Sequence, residues 1–164
     1  MSNHAAAFTL TSTAFTHRGV LPVEHTCDGA GVSAPLVWSG APAGTRSFAL
    51  TLFDPEGRVP HGFVHWVAYD IPATVTAIPS GKYNGDTLPC GGINGNDGNG
   101  HRGFTPSCPP AGPPHAYVFT LYALDVPSLN LPPGATRAQL LEAMTGKILA
   151  QTQLVGLYQG HDRP

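Results

Sequence analysis

Acidic and histidine side chains that could bind an ion or transfer a proton are concentrated in residues 50–71, LTLFDPEGRVPHGFVHWVAYDI. Asp54 and Glu56 flank a proline, whose ring fixes its own φ angle and biases the preceding residue to an extended conformation. These two carboxylates with His65, and with His61 nearby, could orient an imidazole, bind a cation or act as a general acid and base. Ordinary loop acids and a core histidine are the alternative that these residues alone leave open.

Two predicted strands bring these groups together. Apolar residues alternate with a period of two on either side of the loop that follows Asp54, which is the pattern of β-strands. If the strands pair as an antiparallel hairpin, Asp54 lies beside His65. A further strand over residues 115–125 has apolar residues on both faces, which indicates a central strand. In the same sheet, its His115 and Tyr117 join His65 and Asp54 at one sheet end.

The remaining chain is predicted to be β-rich, with turns at its many Gly and Pro residues. Short strands are predicted at residues 8–13, 36–38 and 153–158. Residues 79–114 have almost no apolar period, and they predict one long ordered loop, a feature that is uncommon in compact domains and often functional. The alternative is that these residues form a mobile surface loop. Within them, the Gly-rich residues 94–103 are assigned to the rim of a pocket. Thr136 is predicted to cap a short helix that ends near Gly146.

Composition favours a single globular domain over residues 1–164. Charged residues make up 11%, less than the usual 25% or so, and 20 glycines with 17 prolines are typical of a β-rich, loop-rich protein. A net charge of -2 and a pI of about 6.4 give no broad basic surface, so a nucleic-acid partner has no electrostatic support. No segment approaches the roughly 20 apolar residues of a membrane span.

The cysteines predict a reducing environment. Cys27, Cys90 and Cys108 are odd in number and lack the paired spacings of a zinc ribbon or disulfide framework, so reduced thiols in a cytoplasmic protein are expected, with one bridge left open. The N-terminus MSNHAAAFTL also lacks a basic leader. Cys108 is predicted to be a small buried residue under the long loop, with a redox-sensitive thiol as the alternative.

Two stretches resemble the motifs of a known family. DPEGRVPHGFVHW and TPSCPPAGPPHAYVFTLYALD are similar to the first and second motifs of the phosphatidylethanolamine-binding protein family, most closely in its bacterial Raf kinase inhibitor-like branch. Further matches, such as HTCDGAGVSAPLVWSGAPAGTRSFALTL and GKILAQTQLVGLY, extend the resemblance along the chain. The resemblance implies a mainly β fold, a β-sandwich with a large and a small antiparallel sheet and a few short helices, and an anion pocket near the sheet ends.

The resemblance also implies which residues form the ligand pocket. The predicted ligand-binding residues are Asp54, Glu56, His65, Cys108, Pro109, His115 and Tyr117. This chain departs from the motifs at Glu56, which stands in place of an aspartate, and at Ala116, which replaces an arginine and removes a cation. Arg58 is expected to restore part of that charge. No metal or cofactor is predicted.

The leading functional hypothesis is a module that binds small phosphorylated or other anionic ligands, with possible regulation of a protein partner that the sequence does not identify. The alternative is a small-molecule enzyme in which His65 or His115 is the general acid or base and Asp54 orients it, although no activated Ser or Cys nucleophile is recognisable. A metal site that includes His61 lacks a compact ligand motif. Whether the chain forms a homodimer stays open. Acidic neighbours are expected to raise the pKa values of His65 and His115, so anion binding is expected to strengthen as the pH falls.

Overall fold

A computed structural model describes residues 7–57 and 61–162. Nine strands, numbered β1 to β9 in chain order, lie in this part of the chain: Thr9–Thr11, Gly19–Val20, Leu36–Ser39, Ser47–Asp54, Phe63–Pro72, Ala77–Ile78, Ile93–Asn94, His115–Leu124 and Ile148–Tyr158. One α-helix, α1, covers Arg137–Met144, and a single 3-10 turn covers Val23–His25. No helix of the described segments has the length and apolar character needed to cross a membrane.

The strands form two sheets. The large sheet has the order β2-β9-β8-β4-β5-β7, and the small sheet has the order β1-β3-β6. Neighbouring strands are antiparallel except at one edge of the large sheet, where β2 runs parallel to β9. β8 lies between β4 and β9, as its apolar residues on both faces predict. The predicted mainly β fold with a large and a small sheet is therefore confirmed, with this one parallel edge pair as the exception.

Both faces of the central strands β4, β5 and β8 are buried. An inner core lies between the two sheets, where Trp38 of β3 packs edge-on against Phe48 of β4 at 5.4 Å between ring centroids. A helix-side core covers the other face, where Leu140 of α1 joins Tyr69 of β5 and Leu124 of β8. Alternate residues of the central strands thus enter different cores, since successive side chains of a strand point to opposite faces.

The hairpin of β4 and β5 and the helix α1 form as predicted. The Thr136 hydroxyl accepts the N–H of Gln139, and the Gln139 side chain accepts the N–H of Thr136, which is a reciprocal capping box.

The long loop contains only the two-residue strand β7 and isolated bridges, and it is anchored by the buried side chain of Asn94. That side chain accepts from Trp66 Nε1 and donates to two loop carbonyls. The two-residue strands β2, β6 and β7 were not predicted.

Cys27 and Cys108 form a disulfide bond, so the prediction of reduced thiols is wrong for these two residues, and Cys90 is the free cysteine of the described segments. A parallel bridge between Thr26 and Ser107 brings the two backbones together, with the Cα atoms of the cysteines 5.3 Å apart. The pairing joins residues separated by 81 positions, which local spacing cannot indicate. Both bridged cysteines are exposed, so Cys108 is not the buried residue that the sequence predicts.

Candidate functional site

A cavity of about 290 Å³ lies where β4 ends and β5 and β8 begin. Six of the predicted ligand-binding residues line it, and these are Asp54, His65, Cys108, Pro109, His115 and Tyr117. The structure adds residues that the sequence analysis did not single out, among them Phe63, Asn99, Thr105 and Pro106. The cavity is therefore formed by three strand ends, the Gly-rich rim and the proline-rich segment 105–110.

Glu56 does not line the cavity. Its side chain is exposed, and its contribution is a backbone N–H that donates to Asp54 Oδ1 at 2.8 Å. This contact of an aspartate with the amide two residues ahead is a common way for a turn to hold a carboxylate. Glu56 therefore orients Asp54 through the backbone. Arg58, which was expected to compensate for Ala116, lies outside the described residues.

Asp54 binds His115 directly. Its side chain is buried, with 3% of the residue exposed, and Oδ2 lies 2.7 Å from His115 Nδ1. The sequence analysis places Asp54 beside His65, and both residues line the cavity. Within the hairpin, Asp54 lies directly opposite Phe63, and its hydrogen-bond partner His115 comes from the other neighbouring strand. Because a carboxylate accepts hydrogen bonds, Nδ1 of His115 carries the proton and Nε2 is the ring nitrogen that remains for a ligand.

A β-bulge sets the position of His65. The register between β4 and β5 shifts after Leu52, which leaves His65 as an extra residue on its strand. Such bulges redirect side chains next to functional sites. The His65 ring packs edge-on against Phe63 at 4.7 Å and against Tyr117 at 5.4 Å. Trp66, the next residue of the strand, is fully buried in the inner core together with Tyr117.

The rim of the cavity is held by a buried aspartate. His65 Nδ1 donates to the carbonyl oxygen of Thr105 at 2.9 Å, and the Thr105 hydroxyl donates to Asp97 Oδ2 at 2.5 Å. Asp97 Oδ1 also accepts the backbone N–H groups of Asn99 and His101, each at 2.8 Å. Asp97 is only 5% exposed, so its carboxylate fixes both the rim residue Asn99 and the carbonyl that orients His65.

Burial lowers the pKa of His65 from its usual value of 6.5. The hydrogen bond to Thr105 and the negative charges of Asp54 and Asp97 act in the opposite direction, but they are smaller than the loss of solvation. The expectation that acidic neighbours raise this pKa is therefore wrong. His65 is neutral at neutral pH, with the proton on Nδ1 and a lone pair on Nε2.

The cavity contains hydrogen-bonding groups but little positive charge. Its ionisable side chains are Asp54, His65, His115 and Tyr117, and no lysine or arginine of the described residues lines it. His61 is exposed and outside the lining, and the described residues contain no cluster of three or more potential metal-ligand side chains. The arrangement can hydrogen-bond a small polar group and can move a proton through the Asp54–His115 pair.

Comparison with known proteins identifies the family. The model of the family described as phosphatidylethanolamine-binding protein matches residues 11–159. A UPF0098 protein of Methanothermobacter thermautotrophicus is 40% identical over 146 residues, which is 89% of this chain and 95% of that protein. The crystal structure of YbcL from Escherichia coli, described as a new member of the mammalian PEBP family, matches with a TM-score of 0.87 at 33% identity and covers 95% of this chain and 100% of that one.

A second solved structure agrees with this assignment. The crystal structure of a PEBP homologue from Chlamydia trachomatis has a TM-score of 0.84 at 34% identity, and the match covers 94% of this chain and 99% of that one. Sequence and fold therefore match over almost the same span of the chain. The chain belongs to the phosphatidylethanolamine-binding protein family.

Proposed function

We propose that the cavity binds the phosphoryl group, or another small oxyanion, of a low-molecular-weight ligand. The observation that carries the proposal is the convergence of Asp54, His65, His115 and Tyr117, from three strands, in one cavity of about 290 Å³. The family description names phosphatidylethanolamine, a molecule whose headgroup contains a phosphate. The cavity is at the small end of the usual range for ligand pockets, which suits a headgroup-sized molecule.

The Asp54–His115 pair gives the site its means of attracting an anion. Asp54 accepts the Nδ1 proton of His115, which fixes the ring and leaves Nε2 as the nitrogen that can contact a ligand. Protonated His115 then offers Nε2–H to an oxygen of the ligand. An anion that binds there contacts a charged donor in a partly buried site, where such hydrogen bonds are stronger than in water.

Calorimetric titration of inorganic phosphate and phosphoethanolamine at about pH 6 tests the proposal. We expect wild-type protein to bind at least one of them, and His115→Ala to bind it about tenfold or more weakly, since hydrogen bonds to charged groups contribute about 1.5–3 kcal/mol. His17→Gln is the matched control, because His17 is exposed and bonds only the backbone of Val155. No binding by folded wild type, or unchanged binding by His115→Ala, contradicts the proposal.

An enzyme is the second candidate, and the 2.7 Å contact between Asp54 and His115 favours it. A carboxylate that holds the Nδ1 proton of a histidine leaves Nε2 as a general base. Cys108 is bonded to Cys27 and offers no free thiol, so this candidate is a hydrolase in which His115 activates a water molecule to attack an ester or phosphate. Turnover of p-nitrophenyl acetate or p-nitrophenyl phosphate that is abolished in folded His115→Ala supports this candidate, and equal turnover in the variant excludes it.

Two further expectations concern a protein partner and the location of the protein in the cell. Regulation of a protein partner, including inhibition of a kinase, follows only from the resemblance to the Raf kinase inhibitor-like branch, and fold alone does not establish a target. The disulfide of Cys27 and Cys108 is typical of oxidising compartments, and it argues against the cytoplasmic location that the sequence predicts.

A further inference from the structure

The hydrogen bond of His65 fixes what this residue offers to a ligand. A backbone carbonyl can only accept, so the 2.9 Å contact with Thr105 requires the proton on Nδ1 of His65. The neutral ring then presents a lone pair at Nε2. Because Asp97 holds Thr105 through its hydroxyl, the carbonyl keeps this position, and the tautomer is set before a ligand arrives. His65 is thus a preorganised hydrogen-bond acceptor in the wall of the cavity.

The charged groups around His65 favour the same state. Asp54 faces it from β4 and Asp97 from the rim, and β8 contributes His115 and Tyr117. His115 is the other histidine of the lining. It is bonded to the carboxylate of Asp54, whose negative charge offsets the positive charge that a protonated His115 carries. Burial also lowers the pKa of His65, which keeps Nε2 unprotonated. A doubly charged anion therefore meets no excess of positive charge in the described lining of the cavity.

We propose that the cavity selects oxyanions that carry their own acidic O–H, such as a monoprotonated phosphate monoester, over oxyanions of the same charge and shape that have none. The ligand O–H donates to Nε2 of His65, and its unprotonated oxygens accept from protonated His115. This inference rests on the proposed function, because it specifies the ligand class of the same cavity.

The selectivity has a simple physical cause. An oxyanion without a proton places an oxygen lone pair against the lone pair of His65 Nε2, so that two acceptors face each other at a buried side chain. A buried acceptor that is left without a donor loses its hydration and gains nothing in return. Sites built to hydrogen-bond a ligand hydroxyl reject analogues that lack it far more strongly than sites that differ by a methyl group.

Methyl phosphate and methyl sulfate are a matched pair of probes. Both are small tetrahedral esters, and near pH 6 much of the methyl phosphate is the monoanion with one P–O–H, since second pKa values of phosphate monoesters lie near 6. Methyl sulfate has the same single charge and no proton. We expect wild-type protein, titrated calorimetrically at pH 6, to bind methyl phosphate about tenfold or more tightly than methyl sulfate.

Two comparisons complete the test. At pH 8, where methyl phosphate is a dianion, the ratio of the two affinities is expected to fall by about tenfold or more, and methyl sulfate reports any change in the charge of the protein. In His65→Phe, checked for folding by circular dichroism, the two affinities are expected to agree within about twofold, because the acceptor is gone.

The outcomes separate this inference from the proposed function. Equal binding of both probes by wild type at pH 6, or a preference that persists in folded His65→Phe, overturns the inference and leaves an oxyanion-binding cavity. Failure of wild type to bind either probe or inorganic phosphate overturns both.

Discussion

His65 is a neutral histidine held beside two carboxylates, and this is unusual because acidic neighbours ordinarily favour the charged ring. The conflict is decided by burial, since the residue is only 5% exposed and the loss of solvation exceeds the attraction of Asp54 and Asp97. The ring lies at the bulge of β5 and is covered by Phe63, Tyr117 and the rim residue Thr105. The chemistry of this residue therefore depends on backbone register as much as on its neighbours.

The lowered pKa predicts that His65 makes the protein less stable in acid. Its folded-state pKa lies below the unfolded value of 6.5, so the unfolded chain binds the proton first, and stability is lost as the pH falls from 6.5 through the folded pKa. Urea unfolding of wild type and His65→Gln at pH 5 and pH 8 checks this. We expect the drop in the free energy of unfolding between the two pH values to be smaller in the variant.

Leu149→Ala is the control for this measurement, because Leu149 is 42% exposed and does not titrate, so the drop should stay as it is in wild type. An equal drop in wild type and His65→Gln would mean that other titrating groups account for the acid sensitivity.

At the level of elements, the cavity depends on a wall that has no regular secondary structure. Segment 105–110 lies along the cavity. The contacts that hold it include the bonds from Thr105 to His65 and Asp97, the bridge between Ser107 and Thr26, and the disulfide at Cys108. A segment without a hydrogen-bonded ladder of its own needs such attachments to keep one conformation. The disulfide is therefore a structural part of the binding site.

Removal of this disulfide is expected to destabilise the fold. The double variant Cys27→Ser with Cys108→Ser should unfold at a free energy about 2–4 kcal/mol lower than wild type, because the bond closes a long loop in the unfolded chain. Chemical denaturation of both proteins, with and without a dithiol reductant, measures the effect. Reductant should lower the stability of wild type and leave that of the double variant unchanged.

Cys90→Ser is the matched control, since Cys90 is half-buried and forms no disulfide. Its stability should still respond to reductant as in wild type. If reductant leaves wild type unchanged, the bond adds no stability, and the wall is held by its hydrogen bonds alone.

The elements that the sequence predicts well are those with a strong local signal. The alternation in β8 assigns Phe119 and Leu121 to one core and Tyr122 and Leu124 to the other, as the structure has them. Thr136 likewise caps α1. The bulge in β5, the two-residue strands β2, β6 and β7 and the disulfide were missed because each depends on pairing with distant residues. β9 begins at Ile148, five residues before the predicted start.

The candidate site was predicted only in part, because some of its contacts also depend on distant residues. Six of its residues could be named from motifs, but the partner of Asp54 and the exclusion of the Glu56 side chain follow from how strands and a turn pack. Asp97 is an example. It is buried and accepts three hydrogen bonds, but nothing in the Gly-rich sequence around it predicts either feature.

At the scale of the whole molecule, the two cores share the same central strands. β4 sends Phe48 into the inner core and Ala49 into the helix-side core, and β8 alternates in the same way. Loss of packing on one face therefore weakens the strands that form the other face. The two layers are expected to unfold together in one transition, as small single domains usually do.

Leu140→Ala tests this coupling. Leu140 is fully buried in the helix-side core, and its truncation is expected to lower the free energy of unfolding by about 2–5 kcal/mol. The two tryptophans of the chain, Trp38 and Trp66, both lie in the inner core on the other side of the sheet. Urea unfolding followed by tryptophan fluorescence and by far-UV circular dichroism should show the same lowered midpoint with both probes.

Leu149→Ala is the control, because Leu149 is 42% exposed and its truncation is expected to change the stability by no more than about 0.5 kcal/mol. A fluorescence midpoint that stays at the wild-type value in Leu140→Ala, while the dichroism midpoint falls, would contradict the prediction. The helix-side layer would then unfold on its own, and the cavity, which borders the inner core through Tyr117, would survive its loss. Coincident transitions instead mean that ligand binding in the cavity stabilises the helix-side layer as well, since a ligand that binds only the folded state shifts the whole cooperative unit.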